Sequence, residues 1–201
     1  MTRDITSIAL AGVGGQGSVL ATRVLAAAAE RAGFEVVTSE VHGMSQRGGT
    51  VITTVRFGAT VLSPAVPAGE ADYLVAFERL EAARHLDWVR AGGAALVNDQ
   101  RIAPSIETLG SAAYPGDLED RADRRGVSIL VYPALALARE IGNDKLASMV
   151  MLGALSNFVG IEREHWIGAV RAVVPGRTIE ANEVAFDTGA EWLVGAASFS
   201  F

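Results

Sequence analysis

The stretch ITSIALAGVGGQGSVLATRVLAAAAERAGFEVVT, residues 5–38, decides the fold class because it contains a strand pattern, a helix pattern and a second strand pattern in succession. Residues 5–11 form a short, continuous apolar run, which is typical of a strand buried on both faces of a parallel sheet. Apolar residues then recur at helical spacing over residues 18–32, and Gly33 is suited to end that helix. Residues 34–38 return to strand character. The stretch therefore predicts a strand, a glycine loop, a helix and a second strand.

The same alternation continues along the chain. Apolar runs predict strands at residues 50–57, 72–77, 94–98 and 127–132. A helical face that includes Leu80 and Val89 is expected to end at Gly92 and Gly93. From Pro133 onward the pattern is helical, with predicted helices near residues 146–159 and 162–173 and a last helix through Asn182 and Leu193. The sequence predicts a single α/β domain over residues 1–201, a three-layer α/β/α fold with a largely parallel sheet and a helical C-terminal third.

Composition narrows the class of protein. A length of 201 residues suits one domain, and a hydrophobic fraction of 50% can offset the conformational entropy of a compact fold. The formal net charge is -6 and the basic residues are scattered singly, so the sequence offers no cationic stripe for a phosphate backbone. Nucleic acid is not an expected partner. With 0 Cys, the chain can form neither a disulfide nor a cysteine-ligated metal or iron–sulfur centre.

The N-terminal residues lead directly into the first predicted strand and show no signal-peptide pattern, so a cytoplasmic protein is expected. The longest apolar region, residues 146–161, contains Ser148, Ser156 and Asn157. It falls short of about 18 clean apolar residues and predicts a buried helix instead of a membrane span.

The glycine loop carries the first candidate site. Gly12, Gly14 and Gly17 satisfy G-x-G-x-x-G between a strand and a helix, where backbone N–H groups and the helix N-terminus can meet an anion. The alternative is that these glycines serve only a tight turn and close helix packing. A dinucleotide site would also need an acidic residue at the end of the second strand, and Glu40 lies beyond that position.

The segment HGMSQRGG, residues 42–49, carries the second candidate site. Seven of its eight residues are polar or glycine, although it joins two apolar strands. Ligands bind at the carboxyl ends of parallel strands, so this loop and the glycine loop are expected to share one crevice. Arg47 could fork onto a phosphate or carboxylate, while Ser45 and Gln46 could bind a polar ligand. Alternatively, His42 and Arg47 hold the loop by internal hydrogen bonds.

Two histidines and two glutamates are further candidate ligands. His85 and His165 have no second metal-binding residue at matching spacing, so they are interpreted as surface or packing histidines and no metal site is predicted. Glu78 and Glu81 begin a helix directly after a strand. Either they interact with the helix dipole, or Glu78 faces the crevice.

The two loops together resemble the gamma subunit or domain of the 2-oxoacid:ferredoxin oxidoreductases, and especially the small (beta) subunit of the indolepyruvate enzymes. The resemblance continues at residues 69–72, 92–93 and 152–155 and covers most of the chain. Within it, the expected cofactor-binding residues are Gly12, Gly14, Gly15, Gln16, Gly17, His42, Ser45, Gln46, Arg47 and Gly48.

The resemblance implies a complex that oxidatively decarboxylates a 2-oxoacid on thiamine diphosphate, reduces ferredoxin and forms an acyl-CoA. Thiamine diphosphate, Mg²⁺ and the iron–sulfur clusters are then expected on a large partner subunit, which agrees with the absence of cysteine here. This chain would close the active-site crevice, contact coenzyme A, or both, and would be inactive alone. Two alternatives remain at this point: a stand-alone nicotinamide- or flavin-dependent reductase, and a non-catalytic nucleotide-binding assembly module.

Overall fold

The computed structural model describes residues 4–42, 49–103 and 114–195. Its strands form one sheet in the order β2-β3-β1-β4-β5-β6. β3 runs antiparallel to both of its neighbours, and the β1-β4, β4-β5 and β5-β6 pairs are parallel. The strands are β1 (Ile5–Val13), β2 (Glu35–His42), β3 (Thr50–Gly58), β4 (Ala71–Ala76), β5 (Val89–Asn98) and β6 (Ser128–Tyr132). The six strands predicted from the apolar runs are confirmed.

Helices cover both faces of this sheet. They are α1 (Ser18–Arg31), α2 (Arg79–His85), α3 (Leu118–Arg124), α4 (Ala134–Ile141), α5 (Ala147–Ser156), α6 (Arg163–Val173) and α7 (Ile179–Gly195). The helical C-terminal third is confirmed, whereas α3 was not predicted. The sequence of residues 104–116 predicts an exposed loop, and most of this segment lies outside the described residues.

The helix predicted to continue through Val89 is shorter than expected. α2 ends at His85, a 3-10 turn spans Leu86–Trp88, and Val89 already belongs to β5. The glycine pair that was expected to stop the helix lies inside that strand, where the register with β4 shifts. Gly92 has a φ of +74°, and a Cβ on Gly93 would lie 2.8 Å from the carbonyl oxygen of Asp72. These glycines therefore permit a bulge in β5. A glycine pair is found both at bulges and at helix ends, so the sequence did not distinguish the two.

The central strand β1 shows how the three layers form. Ile8 and Leu10 pack into one core with α1 and the C-terminal helices, whereas Ala9 and Ala11 pack into a second core with α2 and α3. Successive side chains of a strand point to opposite faces, so a continuous apolar run fills both cores. The three-layer α/β/α prediction is confirmed.

The longest apolar region, residues 146–161, contains the buried helix α5, as predicted. Residues 148–155 of α5 are all buried, and α5 crosses α7 with the two backbones in contact. A Cβ on Gly153 would lie 1.9 Å from the carbonyl oxygen of Phe186, and one on Gly189 would lie 2.0 Å from that of Val150. Only glycine permits this approach. Across the described ranges, no helix is long and apolar enough to cross a membrane.

Candidate anion-binding crevice

The glycine loop lies beside Gly49, the last residue of the second loop, at one edge of the sheet. The glycine loop follows β1, and β3 begins beside the end of β1, with Val13 paired to Thr50. The N–H of Gly14 donates to the carbonyl oxygen of Gly49 at 3.1 Å. The glycine loop and Gly49 therefore both adjoin the carboxyl end of β1. Ser45, Gln46, Arg47 and Gly48 lie outside the described residues, as does the side chain of His42, so their roles remain predictions.

Gly15 and Gly17 of the first loop share a backbone conformation but differ in their surroundings. Gly15 and Gly17 have φ values of +98° and +84°, a conformation that side chains disfavour. A Cβ on Gly17 would lie 2.7 Å from Oγ of Ser148 in α5, whereas one on Gly15 would meet nothing within 4 Å. Gly17 thus allows helix packing, and the backbone at Gly15 is open to an approaching group.

Gln16 ties the glycine loop to the neighbouring strands. Its Oε1 accepts from the N–H of Val13 at 2.7 Å, and its Nε2 donates to the carbonyl oxygen of Phe77 at 3.0 Å and to Oε1 of Gln100 at 3.1 Å. Its amide group therefore positions the loop, and the predicted contact of Gln16 with a cofactor stays a prediction.

Asn98 extends this amide network to a second helix. Its Nδ2 donates to the carbonyl oxygen of Phe77 at 3.0 Å and to Oε1 of Gln100 at 3.1 Å, and its Oδ1 accepts from the N–H of Leu135 at 3.1 Å. Asn98 is only 1% exposed. The network therefore fixes the glycine loop, the ends of β4 and β5, and the first turn of α4 relative to one another.

A crevice of about 190 Å³ opens above this network. It is lined by Gly15, Gln16, Phe77, Asn98, Gln100, Leu135, Arg139, Asp144, Lys145 and Ala147. The loop before α1 and the first turns of α4 and α5 all reach it, so three helix N-termini converge there. The partial positive charge of each N-terminus favours an anion.

Sequence reasoning missed the two cations of the crevice, Arg139 and Lys145. Arg139 is paired with Asp144 at 3.2 Å, whereas Lys145 forms no ion pair with another residue of the described ranges. They lie more than 120 residues from the glycine loop in sequence, so no local motif connects them to it. One signal was available, because Lys145 is the only lysine in the chain.

Glu78 does not line the crevice. It is fully buried and caps α2, because its Oε1 accepts from the N–H of Glu81 and its Oε2 accepts from the hydroxyl of Tyr114 at 2.7 Å. Burial of the Tyr114 hydroxyl is the larger cause that raises its pKa, and the hydrogen bond to Glu78 raises this pKa further. The helix-terminus interpretation of Glu78 is confirmed.

Glu81 joins α2 to the start of β3. Its Oε1 accepts from Oγ1 of Thr50 at 3.1 Å and from Nη1 of Arg84 at 2.6 Å, although the residue is only 1% exposed. The side chain thus anchors the strand that follows the second loop.

The histidines make protein contacts. Nδ1 of His85 lies 3.0 Å from the carbonyl oxygen of Glu81, and its ring meets Trp88 edge-on. His165 lies 3.9 Å from the carboxylate of Glu164. In the described ranges, no three His, Asp or Glu side chains are grouped so that they could hold a metal ion.

The strand order counts against a conventional dinucleotide site. β3 lies between β1 and β2, so the end of β2 is about 9–10 Å from β1 across the sheet. A ribose-binding acidic residue belongs on the strand next to β1. Glu40 instead lies on the edge strand, paired with Thr53 of β3, and is exposed. Glu40 therefore does not occupy the position of a ribose-binding residue, and it was the main support for a nicotinamide-dependent reductase.

Comparison with known proteins agrees with this geometry. The family described as pyruvate ferredoxin/flavodoxin oxidoreductase matches residues 7–192. The chain is 39% identical over 188 residues to the indolepyruvate oxidoreductase subunit IorB of Thermococcus kodakarensis, covering 91% of this chain and 93% of that protein.

Two solved structures share the fold. The gamma subunit of a keto/oxoacid ferredoxin oxidoreductase from Geobacter sulfurreducens superposes with a TM-score of 0.70 at 26% identity, covering 94% of this chain and 99% of that one. The 2-oxoglutarate:ferredoxin oxidoreductase of Magnetococcus marinus gives a TM-score of 0.77 at 24% identity, covering 98% of this chain and 32% of that one. The chain belongs to the pyruvate ferredoxin/flavodoxin oxidoreductase family and is a subunit of a 2-oxoacid oxidoreductase.

Proposed function

We propose that the crevice at the carboxyl edge of the sheet binds a phosphate group of coenzyme A within a thiamine diphosphate-dependent 2-oxoacid:ferredoxin oxidoreductase. The observation that carries this proposal is the convergence of three helix N-termini and Lys145 on a glycine loop. The Magnetococcus marinus relative was solved with coenzyme A and succinyl-CoA bound, which supports coenzyme A as the anion.

Within this proposal, the glycine loop, Lys145 and the second loop each contribute contacts with the phosphate. The open backbone at Gly15 approaches the phosphate, and Lys145 supplies a point charge to it. Arg47 supplies a forked donor from the second loop, and His42, Ser45, Gln46 and Gly48 are assigned further contacts with the anion. Gln16 and Asn98 hold the loop in place, and Gln16 also faces the anion, since it lines the crevice.

The redox chemistry belongs to the partner in this proposal. A chain with 0 Cys cannot ligate an iron–sulfur cluster through thiolates, so the clusters, together with thiamine diphosphate and Mg²⁺, are assigned to a large partner subunit that reduces ferredoxin. Thiamine diphosphate supplies the decarboxylation chemistry when bound there. This chain then binds coenzyme A, orients it and excludes water from the shared crevice.

We propose indolepyruvate or a related aryl 2-oxoacid as the substrate, because the indolepyruvate oxidoreductase subunit of Thermococcus kodakarensis matches almost the whole chain. Turnover of the reconstituted complex with indolepyruvate, pyruvate and 2-oxoglutarate tests this assignment. A higher kcat/KM for pyruvate or 2-oxoglutarate than for indolepyruvate would contradict it.

Lys145→Ala in the reconstituted complex tests the anion site. We expect the KM for coenzyme A to rise about 10-fold or more, because a charge-assisted bond contributes roughly 1.5–3 kcal/mol. The KM for the 2-oxoacid should change little. Arg177→Ala is the matched control, because Arg177 is an exposed cation that does not line the crevice. An unchanged KM for coenzyme A would remove Lys145 from the site, and binding of free nucleotides without any turnover would favour an assembly module.

A further inference from the structure

The three side-chain amides beside the crevice have only one possible orientation. Gln16 has to place Oε1 toward the N–H of Val13, which can only donate, so its Nε2 faces Gln100. Asn98 likewise has to place Oδ1 toward the N–H of Leu135, so its Nδ2 also faces Gln100. Two donors therefore meet the same end of the Gln100 amide, and that end has to be the oxygen, Oε1.

The hydrogen bonds of this network leave one NH2 group over. Both hydrogens of Gln16 Nε2 and both of Asn98 Nδ2 have acceptors, which are the carbonyl oxygen of Phe77 and Oε1 of Gln100. Each of these two oxygens thereby uses both of its lone pairs. Nε2 of Gln100 has no acceptor within the described residues. Its two hydrogens are therefore available to a ligand.

The available NH2 group is accessible and held in place. Gln100 lines the crevice and is half-buried. Among the described residues, the only buried side-chain nitrogen or oxygen without a hydrogen-bond partner is Oε2 of Glu81, so Nε2 of Gln100 is not enclosed in the interior. The backbone of Gln100 is fixed on both sides, because its N–H donates to the carbonyl oxygen of Asn98 at 2.7 Å and its own carbonyl oxygen accepts from the N–H of Arg79 at 2.9 Å.

A fixed amide donor limits the groups that can bind beside it. Because an NH2 group can only donate, the ligand has to present an oxygen with free lone pairs, and an ionised oxygen forms the stronger bond. A ligand group without an acceptor would displace water and leave the donor unpaired, which weakens binding. Lys145 and Gly15 line the same crevice, so a cation and open backbone are available to the same anion.

We propose that Gln100 determines the specificity of this crevice: its Nε2 donates to an oxygen of the phosphate group that coenzyme A places there. This inference rests on the proposed function for the identity of the anion. The crevice volume of about 190 Å³ is below the roughly 300–1,000 Å³ of a pocket that encloses a whole ligand, so only an anionic part of coenzyme A enters it. Gln16 and Asn98 act on Gln100 as positioning residues, because they bind its oxygen and leave its nitrogen to the phosphate.

Gln100→Glu removes the donor and keeps the network. A carboxylate oxygen still accepts from Gln16 and Asn98, so the urea midpoint should stay close to that of the unaltered protein, whereas an anionic oxygen now faces the phosphate. The measurement is the Kd for coenzyme A of the reconstituted complex, determined by calorimetry without 2-oxoacid. We expect this Kd to rise at least about tenfold.

Gln100→Met separates the lost donor from the added charge. Its side chain is similar in length and uncharged, so it removes the donor without repelling the phosphate, and the Kd should again rise about tenfold or more. The two variants have different side effects, because Gln100→Glu adds a charge and Gln100→Met removes an acceptor of the network. A rise with both variants therefore assigns the loss to the donor.

Asn143→Asp is the matched control for the charge. It makes the same change from amide to acid at an exposed residue that does not line the crevice, and Asp still accepts from the N–H of Lys145, as Asn143 does at 3.1 Å. Because water and salt screen an exposed charge, the Kd should change less than about threefold. Dephospho-coenzyme A, which lacks the terminal ribose phosphate, identifies the oxygen. A penalty that persists with it assigns the bond to the diphosphate, and one that disappears assigns the bond to the terminal phosphate.

Two results would overturn the inference. A folded Gln100→Glu variant that binds coenzyme A as tightly as the unaltered complex would show that Nε2 makes no bond to it. An unchanged Kd with Gln100→Met, together with equal rises for Gln100→Glu and Asn143→Asp, would assign the effect to charge alone. If Lys145→Ala raises the Kd while neither Gln100 variant does, only this inference fails. If Lys145→Ala also leaves the Kd unchanged, coenzyme A does not bind in the crevice and the proposed function fails.

Discussion

Gln16 and Phe77 lie 61 residues apart in sequence, yet the side-chain amide of Gln16 donates to the carbonyl oxygen of Phe77 at 3.0 Å. This bond joins the glycine loop to the end of β4. A Cβ on Gly12 would lie 3.0 Å from Cδ2 of Phe77, so the strand end and the loop are also packed closely. The crevice wall depends on a tertiary bond as well as on the glycine pattern.

Removing this amide should loosen the crevice. Gln16→Ala loses three hydrogen bonds, and we expect the free energy of unfolding to fall by about 1–3 kcal/mol, as measured by urea denaturation. Gln16→Glu is the informative comparison, because a carboxylate can accept from Val13 but cannot donate to Phe77. It should be less stable than the unaltered protein near neutral pH. If Gln16→Glu were as stable as the unaltered protein, the hydrogen bond that Gln16 donates to Phe77 would contribute nothing to stability.

Gly15 and Gly17 should differ in their tolerance of a side chain. Gly15→Ala is expected to cost about 1–2 kcal/mol of stability, since only the left-handed backbone conformation opposes it. Gly17→Ala should cost about 2–5 kcal/mol, because its Cβ also meets Ser148. Thermal unfolding of the two variants compares them.

The control for Gly17 removes its steric partner. Ser148→Ala deletes the Oγ that would lie 2.7 Å from the added Cβ, so the double variant Gly17→Ala with Ser148→Ala should recover part of the lost stability. Additive effects of the two substitutions would contradict close packing at this point.

Stability should decline in alkaline solution because of buried tyrosine hydroxyls. Burial raises the pKa of Tyr132 above its ordinary value of 10.0, and its hydroxyl donates to the carbonyl oxygen of Gly189 at 2.8 Å. The folded state then holds a proton that the unfolded chain releases, so this contribution is complete below about pH 10 and is lost as the pH rises further.

Tyr132→Phe provides the measurement. At neutral pH we expect the variant to be about 1–2 kcal/mol less stable, because the carbonyl of Gly189 loses its donor. Above about pH 10 its urea midpoint should fall less steeply than that of the unaltered protein. Parallel pH profiles would show that Tyr132 does not contribute to the alkaline loss.

Arg47 provides a test of the second loop. Arg47→Ala in the reconstituted complex should raise the KM for the anion it meets by about 10- to 150-fold, which corresponds to the loss of one charge-assisted bond. Arg47→Lys should recover only part of this loss, because a point charge cannot form a bidentate fork. Varying coenzyme A and the 2-oxoacid separately identifies the anion. Unchanged kinetics with weaker subunit assembly would assign Arg47 to the partner interface.

The isolated chain should be colourless and should oxidise no 2-oxoacid until the large subunit is added, because a chain with 0 Cys cannot hold a thiolate-ligated iron–sulfur cluster. Visible absorbance and ferredoxin reduction check the two parts of this expectation. Turnover by the purified single chain would contradict the assignment of the redox chemistry to the partner.

The sequence by itself determined the layers of this protein and its two loops. A continuous apolar run such as residues 5–11 has to be covered on both faces, and G-x-G-x-x-G after that run marks the turn into a helix, so local patterns were sufficient. The same local reading misplaced the end of α2. A glycine with positive φ serves a bulge within β5 as well as a helix terminus, and only the strand pairing distinguishes them.

Tertiary structure alone decided which strands are neighbours and which distant residues complete the crevice. The insertion of β3 between β1 and β2 moves Glu40 away from the glycine loop, and this follows from strand pairing that no local period reveals. Lys145 lies in the turn between α4 and α5, yet it lines the same crevice as Gly15 and Gln16. Periodicity reports which face of an element is buried, whereas the site depends on contacts between elements that only packing brings together.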